Sequence, residues 1–199
     1  MNIKNDFYDI VKLFVNQIGI AIFSLVLYTA VGFIEDESLF LTVNICLSVF
    51  ATLFYFALIY TASWDFGARD KIRVDGGKQS AVKYKGMLFS LVANLPNFII
   101  ALFAIVFITV FLALPADWSY SAFGIANLFL RFLNSMFLGI LQGVFIFAKD
   151  NTNLYFLLQS IGYFVAPILT VIIAHLGYTL GSKEYRIFGF LKPKQQNKK

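Results

Sequence analysis

The chain has 199 residues, of which 59% are hydrophobic and 14% are charged, and its formal net charge is +5. Soluble domains are typically about 45–50% apolar and about 25% charged, so this composition excludes an ordinary soluble domain. The basic residues concentrate in a central loop and in the tail 182–199, which favours contact with anionic membrane lipid and argues against nucleic acid as a partner. We predict one all-α integral membrane domain over residues 1–199.

Four apolar segments are long enough to cross a bilayer, whose hydrocarbon core needs about 20 helical residues. They lie at about 10–33, 39–62, 87–114 and 154–181. Between the first two stand Glu35, Asp36 and Glu37, a connection so short that these two spans must be antiparallel. The third segment contains Pro96 and the last contains Pro167. A proline inside a helix removes a backbone hydrogen bond, so each of these positions predicts a kink.

The interval 64–86 is the long polar stretch between the second and third apolar segments. The second helix is predicted to continue into it as far as Gly76 and Gly77, because paired glycines end helices. Basic loops beside membrane spans stay in the cytoplasm, which predicts a cytoplasmic location for this one. Its cations form a predicted surface for a protein partner, for a second copy of the chain or for anionic lipid: Arg69, Lys71, Arg73, Lys78, Lys83 and Lys85.

The segment 121–148 is also long enough to cross the membrane, but it is the most polar of the five. Five crossings would place the basic loop and the basic tail on opposite sides, against the positive-inside tendency. The segment also contains Arg131, and an arginine at the bilayer centre costs about 2.5–3.5 kcal/mol on insertion scales. We therefore predict four transmembrane helices plus one outer-side re-entrant or interfacial helical segment. Five transmembrane helices is the alternative.

The polar residues of this ambiguous segment share one helical face, about 100° wide, as in an amphipathic helix. Four of them form a predicted ligand-binding cavity: Asn127, Arg131, Asn134 and Gln142. Arginines inside a membrane often mark the path of an anionic substrate. The competing interpretation is that these side chains only form hydrogen bonds between helices while the arginine extends to the interface.

The sequence contains no common catalytic or metal-binding motif. Its single cysteine, Cys46, and its single histidine, His175, have no metal-ligand spacing around them. A catalytic triad, a P-loop and a dinucleotide fingerprint are also missing. The sequence therefore predicts no catalytic residue, no metal and no cofactor.

Residues 64–70 resemble part of the D-x-x-D-G-x-x-A-R motif of CDP-alcohol phosphotransferases, small multi-span enzymes whose aspartates hold a divalent metal. The shared residues are Asp65, Gly67, Ala68, Arg69 and Asp70, at a different spacing and without the second half of that motif. The resemblance implies an alternative function, a lipid-modifying enzyme with an aspartate site at the cytoplasmic face.

The preferred hypothesis is a small polytopic protein of a bacterial inner membrane, with both termini in the cytoplasm. It would serve without catalysis, as a transport component or as an accessory subunit of a membrane complex. Its size resembles that of the substrate-binding subunits of energy-coupling-factor vitamin transporters, which have six spans and motifs that this chain lacks. A structural or immunity-type membrane protein is the second alternative to a transport or accessory role.

Overall fold

The computed structural model describes residues 3–185, with side chains from Asp6 onward. Every regular element in this part of the chain is helical. The helices are α1 (Ile3–Val31), α2 (Glu37–Asp75), α3 (Lys85–Ala93), α4 (Leu95–Ala113), α5 (Asp117–Leu133), α6 (Leu138–Val144) and α7 (Thr152–Ser182), and two 3₁₀ turns lie at Ser135–Phe137 and Ile146–Ala148. The predicted basic tail lies outside the described residues, except for positions 182–185.

Helix α2 is much longer than a membrane crossing requires, and its two ends follow local rules. Asp36 caps its beginning, because the Asp36 carboxylate accepts hydrogen bonds from the Leu39 backbone N–H (2.8 Å) and the Ser38 hydroxyl (2.7 Å). These bonds hold the pKa of Asp36 below its ordinary value. The helix continues past the apolar part and ends at Gly76, whose N–H reaches the Ile72 carbonyl. The predicted extension of the second helix is therefore confirmed.

The predicted third span is split into α3 and α4 at Asn94. The Asn94 N–H still closes the end of α3 by donating to the Ser90 carbonyl. Pro96 stands in the first turn of α4, where helical N–H groups have no carbonyl partner and proline is tolerated. The break therefore lies two residues before the proline, as a helix end followed by a new helix start. Pro167, by contrast, lies within α7, which is continuous.

Four helices of the described part are long and apolar enough to cross a membrane: α1, α2, α4 and α7. Helices α2 and α7 run parallel. Lys149, just before α7, pairs with Glu37 at the start of α2, while Gly181 at the end of α7 packs against Trp64. Asp6, near the start of α1, contacts Lys85 at the start of α3. One end of the bundle, called here the basic end, therefore holds residue 6, residues 64–85 and the end of α7; the opposite end is called the far end.

Helices α5 and α6 form a hairpin inside the bundle. Helix α5 starts at the far end, where α4 stops, and packs against α4. At Asn134 the chain bends by 84° into the segment Ser135–Val144. It then returns to Lys149 at the far end. Because the segment enters and leaves at the same end, it is a re-entrant hairpin, which supports four crossings over the five-span alternative.

The tip of the hairpin, residues 133–137, lies at the level of the middle of α1 and of the apolar part of α2, and side chains of both helices bind its backbone. The Ser48 and Thr52 hydroxyls donate to the Met136 carbonyl (2.6 and 2.9 Å), and Gln17 Nε2 donates to the Leu133 carbonyl (3.3 Å). Irregular backbone persists at membrane depth only where protein groups or a wet cavity satisfy it. These hydroxyls and this amide therefore make the re-entrant turn possible.

Cysteine labelling tests the four-crossing arrangement. With the exposed Cys46 replaced by serine, cysteines at positions 118 and 150 should react with a membrane-impermeant maleimide added to the same face of a sealed vesicle. A cysteine at position 78, at the basic end, should react only from the other face. Labelling of 118 and 150 from opposite faces would instead show that the segment 121–148 crosses the membrane.

Candidate functional site

The four residues predicted to form one cavity point to different neighbours. Asn134 is fully buried, and its Nδ2 donates to Asn97 Oδ1 at 3.4 Å. Gln142 Oε1 accepts a bond from Asn44 Nδ2 at 2.6 Å, on helix α2. Asn127 is buried, and Arg131 is half-buried. The shared helical face does not survive the bend at Asn134, because residues on the two sides of the bend belong to different helices.

An asparagine cluster joins the two helix breaks. Asn97 Nδ2 donates to Asn94 Oδ1 at 3.2 Å, and Asn134 donates to Asn97 from the tip of the hairpin. All three side chains are at most 3% exposed. The break between α3 and α4 and the break after α5 therefore meet inside the bundle, joined by side-chain amides.

Arg131 lies in the far-end half of the bundle, two residues before the end of α5. Its guanidinium is within electrostatic range of the hydroxyl groups of Tyr155 and Tyr163 on α7. Tyr155 and Gln142 also line an open groove of about 570 Å³ between the start of α2, the α6 region and the start of α7. Of the four predicted cavity residues, Gln142 contributes to the lining of this groove, whose charged lining residues are Glu37 and Lys149.

A network of buried charges closes the basic end of the bundle. Lys85 Nζ lies 2.7 Å from Asp6 Oδ1 and 2.8 Å from Asp70 Oδ2, and all three side chains are at most 8% exposed. Tyr178 donates its hydroxyl hydrogen to Asp70 Oδ2 at 3.0 Å, and Arg73 approaches Asp70 Oδ1 at 3.4 Å. The network links α1, α2, α3 and α7, so it fixes the relative positions of four helices.

A third buried acid, Asp9, forms a separate ion pair at the same end of the bundle. Asp9, whose side chain is 5% exposed, accepts a bond from Arg69 Nη2 at 2.7 Å. The three acids Asp6, Asp9 and Asp70 are therefore matched by the three bases Arg69, Arg73 and Lys85. The buried charges of the basic end balance one another within the bundle.

This arrangement divides the predicted cationic surface into two sets. Lys85 is only 4% exposed, so its assignment to an exposed surface is corrected: it is an internal ion-pair partner. Arg69 and Arg73 also hold buried acids, although both remain partly accessible. Lys78 and Lys83 are exposed. Lys71 pairs with Glu184 at 3.2 Å, close to the end of α7.

A second groove, of about 510 Å³, lies at the basic end between α2, residues 81–84 and α7. Its lining contains three lysines and two aspartates: Lys71, Lys83, Lys183, Asp70 and Asp75. The ring of His175 stacks on Tyr84 in its wall, with ring centroids 5.9 Å apart. A basic groove at the membrane boundary suits an anionic group, since juxtamembrane lysines attract anionic lipid.

Sequence reasoning missed the acids and the tyrosine of the basic end, Asp6, Asp9 and Tyr178. The sequence does contain a signal for Asp6 and Asp9, because they stand just before an apolar span. Burying an acid there is costly without a cation beside it, so their position indicates buried ion pairs. Sequence reasoning also gave no role to Gln17, although a glutamine inside an apolar span was visible. The hydrogen-bond partner of Gln17, the Leu133 carbonyl, is 116 residues away in the chain and was not predictable from the sequence.

These features define the class: a multi-pass, all-helical membrane protein with a re-entrant hairpin and an ion-paired basic end. Comparison of the chain with protein-family profiles, with curated proteins and with solved structures finds no match. The function is therefore inferred from the contacts within this chain.

Proposed function

We propose that the protein is a non-catalytic subunit of a membrane complex, either its transport component or an accessory subunit. It would reside in the inner membrane of a bacterium, with both termini in the cytoplasm. In this arrangement the basic end faces the cytoplasm, in agreement with the tendency of lysine- and arginine-rich segments to remain there. The exposed lysines of that end would contact an acidic partner or anionic lipid.

The observation that carries this proposal is the division of charge at the basic end. Asp6, Asp9 and Asp70 are neutralised inside the bundle, which leaves Lys78 and Lys83 exposed without an opposing acid in an ion pair among the described residues. Lys83 lines the basic-end groove, and exposed cations without an ion-pair partner attract an anionic surface. This charge is available for an interaction outside the chain, whereas the buried network is not.

The meeting of two helix breaks favours the transport component within this proposal. Discontinuous helices near the bilayer midplane often form the substrate or ion sites of transporters. Here Asn94, Asn97 and Asn134 join the two breaks, and Asn134 Oδ1 is buried without a hydrogen-bond partner in residues 6–185. A free amide oxygen at such a junction is able to bind a cation or a donor group of a substrate.

The lipid-modifying enzyme remains an alternative, but the surroundings of Asp70 favour a structural role. Both oxygens of its carboxylate are engaged, one by Lys85 and Tyr178 and the other by Arg73. Asp65, the other acid of the resemblance, is exposed, whereas Asp70 is buried. A structural or immunity-type protein is the second alternative, and it would need neither the exposed lysines nor the asparagine junction.

Replacing four lysines of the basic end by glutamine tests the proposal. The variant carries Lys71→Gln, Lys78→Gln, Lys83→Gln and Lys183→Gln, and it spares the buried Lys85. Since each surface lysine contributes about 1 kcal/mol of attraction to anionic lipid, we expect at least about a tenfold loss of bound phosphatidylglycerol and loss of co-purifying protein. Bound lipid is measured by mass spectrometry after purification in a neutral detergent.

The matched control is Lys149→Gln, which removes one exposed lysine at the far end. It should retain both the partner and the lipid. Circular dichroism establishes that each variant is folded. If the four-lysine variant keeps its partner and its phosphatidylglycerol, the basic end is not the interaction surface and the proposal is wrong.

A further inference from the structure

The groove at the basic end holds a positive charge that the described part of the chain does not neutralise. Lys83 and Lys183 both contribute to its lining, and neither forms an ion pair within residues 6–185. Asp75 is also in the lining and forms no ion pair within the same residues. Two lysines against one aspartate leave one net positive charge in the groove.

The other charged residues of the lining have partners within the chain. Asp70 is held by Lys85 at 2.8 Å and by Arg73 at 3.4 Å, and it belongs to the balanced buried network. Lys71 lies 3.2 Å from Glu184. The net charge of the groove therefore comes from the two unpaired lysines and the unpaired aspartate.

Polar atoms without a partner lie in the wall that α7 forms. His175 Nδ1 and Thr179 Oγ1 are buried and have no hydrogen-bond partner within residues 6–185. Both residues line the groove, and they stand four residues apart on α7. Buried polar atoms in proteins nearly always form a hydrogen bond. These two atoms are therefore a second indication, independent of charge, that the groove receives a polar group from outside the chain.

Apolar side chains stand beside these charges. Val74, Ala81 and Val82 also line the groove, and Tyr84 stacks on His175 in its wall. The groove lies at the level of the last turn of α7, a helix long and apolar enough to cross a membrane. Tyrosines are enriched at this boundary, where one side of the ring is apolar and the other is wet. The surroundings therefore suit a molecule that is anionic at one point and apolar next to it.

We propose that this groove binds the headgroup of one anionic phospholipid whose phosphate is a diester, such as phosphatidylglycerol. The phosphate lies beside Lys83 and Lys183, and the acyl chains leave the groove past Val82 and Tyr84. A phosphodiester carries a single negative charge, which matches the net charge of the groove. A phosphate monoester carries about −1.5 to −2 at neutral pH and exceeds it. A zwitterionic headgroup has no net charge and leaves the groove uncompensated.

This inference rests on the proposed function, because it assigns one lipid site within the basic end. Lys78 separates the two, since it is an exposed lysine of the same end that lies outside the lining. If Lys78→Gln weakens lipid binding as much as Lys83→Gln does, the lysines attract lipid only as a diffuse field. The proposed function then stands and the groove site is wrong. If the four-lysine variant keeps its lipid and its partner, both are wrong.

The first test is a titration of delipidated full-length protein with phosphatidylglycerol in a neutral maltoside detergent, followed by native mass spectrometry. Binding should saturate at one tightly bound lipid per chain. Lys83→Gln and Lys183→Gln should each weaken this binding about fivefold, the effect of one juxtamembrane lysine. Lys78→Gln should bind like the unmodified protein. Unchanged affinity in both groove variants would overturn the site.

The second test fills the groove without changing any charge. Ala81→Trp places a large ring in the lining and should weaken phosphatidylglycerol binding at least about tenfold. Ser80→Trp is the matched control, because Ser80 is the exposed neighbour of Ala81 and lies outside the lining. It should retain the affinity. Circular dichroism establishes that both variants are folded, and equal affinities of the two variants would contradict binding in the groove.

The choice of probe separates the headgroup charge from the acyl chains. Phosphatidylcholine has the same diester and chains with a cationic headgroup, and it should bind at least about tenfold more weakly than phosphatidylglycerol. Glycerophosphoglycerol is the same headgroup without chains and should also bind at least about tenfold more weakly. Equal binding of phosphatidylcholine would overturn the charge match. Equal binding of glycerophosphoglycerol would show that a soluble phosphodiester, and not a lipid, is the ligand.

Discussion

Replacing Lys85 by methionine is expected to lower the free energy of unfolding by about 3–5 kcal/mol. Lys85 Nζ is the cation within 2.8 Å of both Asp6 and Asp70, and its removal leaves two carboxylates buried close to each other. Arg73 still reaches Asp70, but Asp6 forms its ion pair with Lys85. Removing one partner of a buried pair is costly because the other charge loses its compensation.

The measurement is unfolding by sodium dodecyl sulfate in mixed micelles, followed by circular dichroism. Lys78→Met is the matched control, because Lys78 is an exposed lysine in the connection just before α3, and its substitution should change stability by less than about 0.5 kcal/mol. Equal, small effects of the two substitutions would show that the buried network does not hold the basic end together.

Glycine-to-alanine substitutions at the contact between α2 and α7 are expected to have the next largest effect. A Cβ atom at Gly67 would lie 2.1 Å from the Tyr178 carbonyl oxygen, and one at Gly181 would lie 2.1 Å from the Trp64 carbonyl oxygen. Neither contact involves a flexible side chain, so the two helix backbones must separate. Overpacking of this kind costs about 1–3 kcal/mol, and more when a helix has to move.

The control for helix propensity is Gly19→Ala in α1, where a Cβ atom meets nothing within 4 Å. Alanine is favoured over glycine in a helix interior by about 1 kcal/mol, so this variant should be as stable as the unmodified protein or more stable. Gly67→Ala and Gly181→Ala should be less stable in the same mixed-micelle titration. If all three behave alike, the close approach of α2 and α7 does not contribute to stability.

The spans were predictable from the sequence because an apolar stretch of about 20 residues has few alternatives to crossing a bilayer. The end of α2 was predictable because two consecutive glycines, Gly76 and Gly77, have a low helix propensity and so end a helix locally. The hairpin was favoured only indirectly. Four crossings place the basic loop and the basic tail on the same side of the membrane, and Arg131 makes a full crossing by its segment costly. The shape of the hairpin depends on the bend at Asn134, where no proline or glycine occurs in the sequence.

The candidate sites were harder to predict than the spans, because the sequence of a span shows its polar residues but not the residues that they contact. The helical face that placed Asn134 with Arg131 assumed one straight helix, and the bend of 84° sends Asn134 toward Asn97. Lys85 was predicted to be one more surface cation, although it lies between Asp6 and Asp70. In each case the missing information was a contact between residues distant in the chain.

The amino-acid sequence alone determined that this is a helical multi-pass membrane protein, because the hydrophobic length of each segment and the solvation of its backbone are local properties. Only the tertiary structure decided which charges are neutralised inside the bundle and which are left over. Packing brings Lys85 to two aspartates, whereas no described acid forms an ion pair with Arg131. An ion pair depends on distances across helices, and these are set only when the helices have packed against one another.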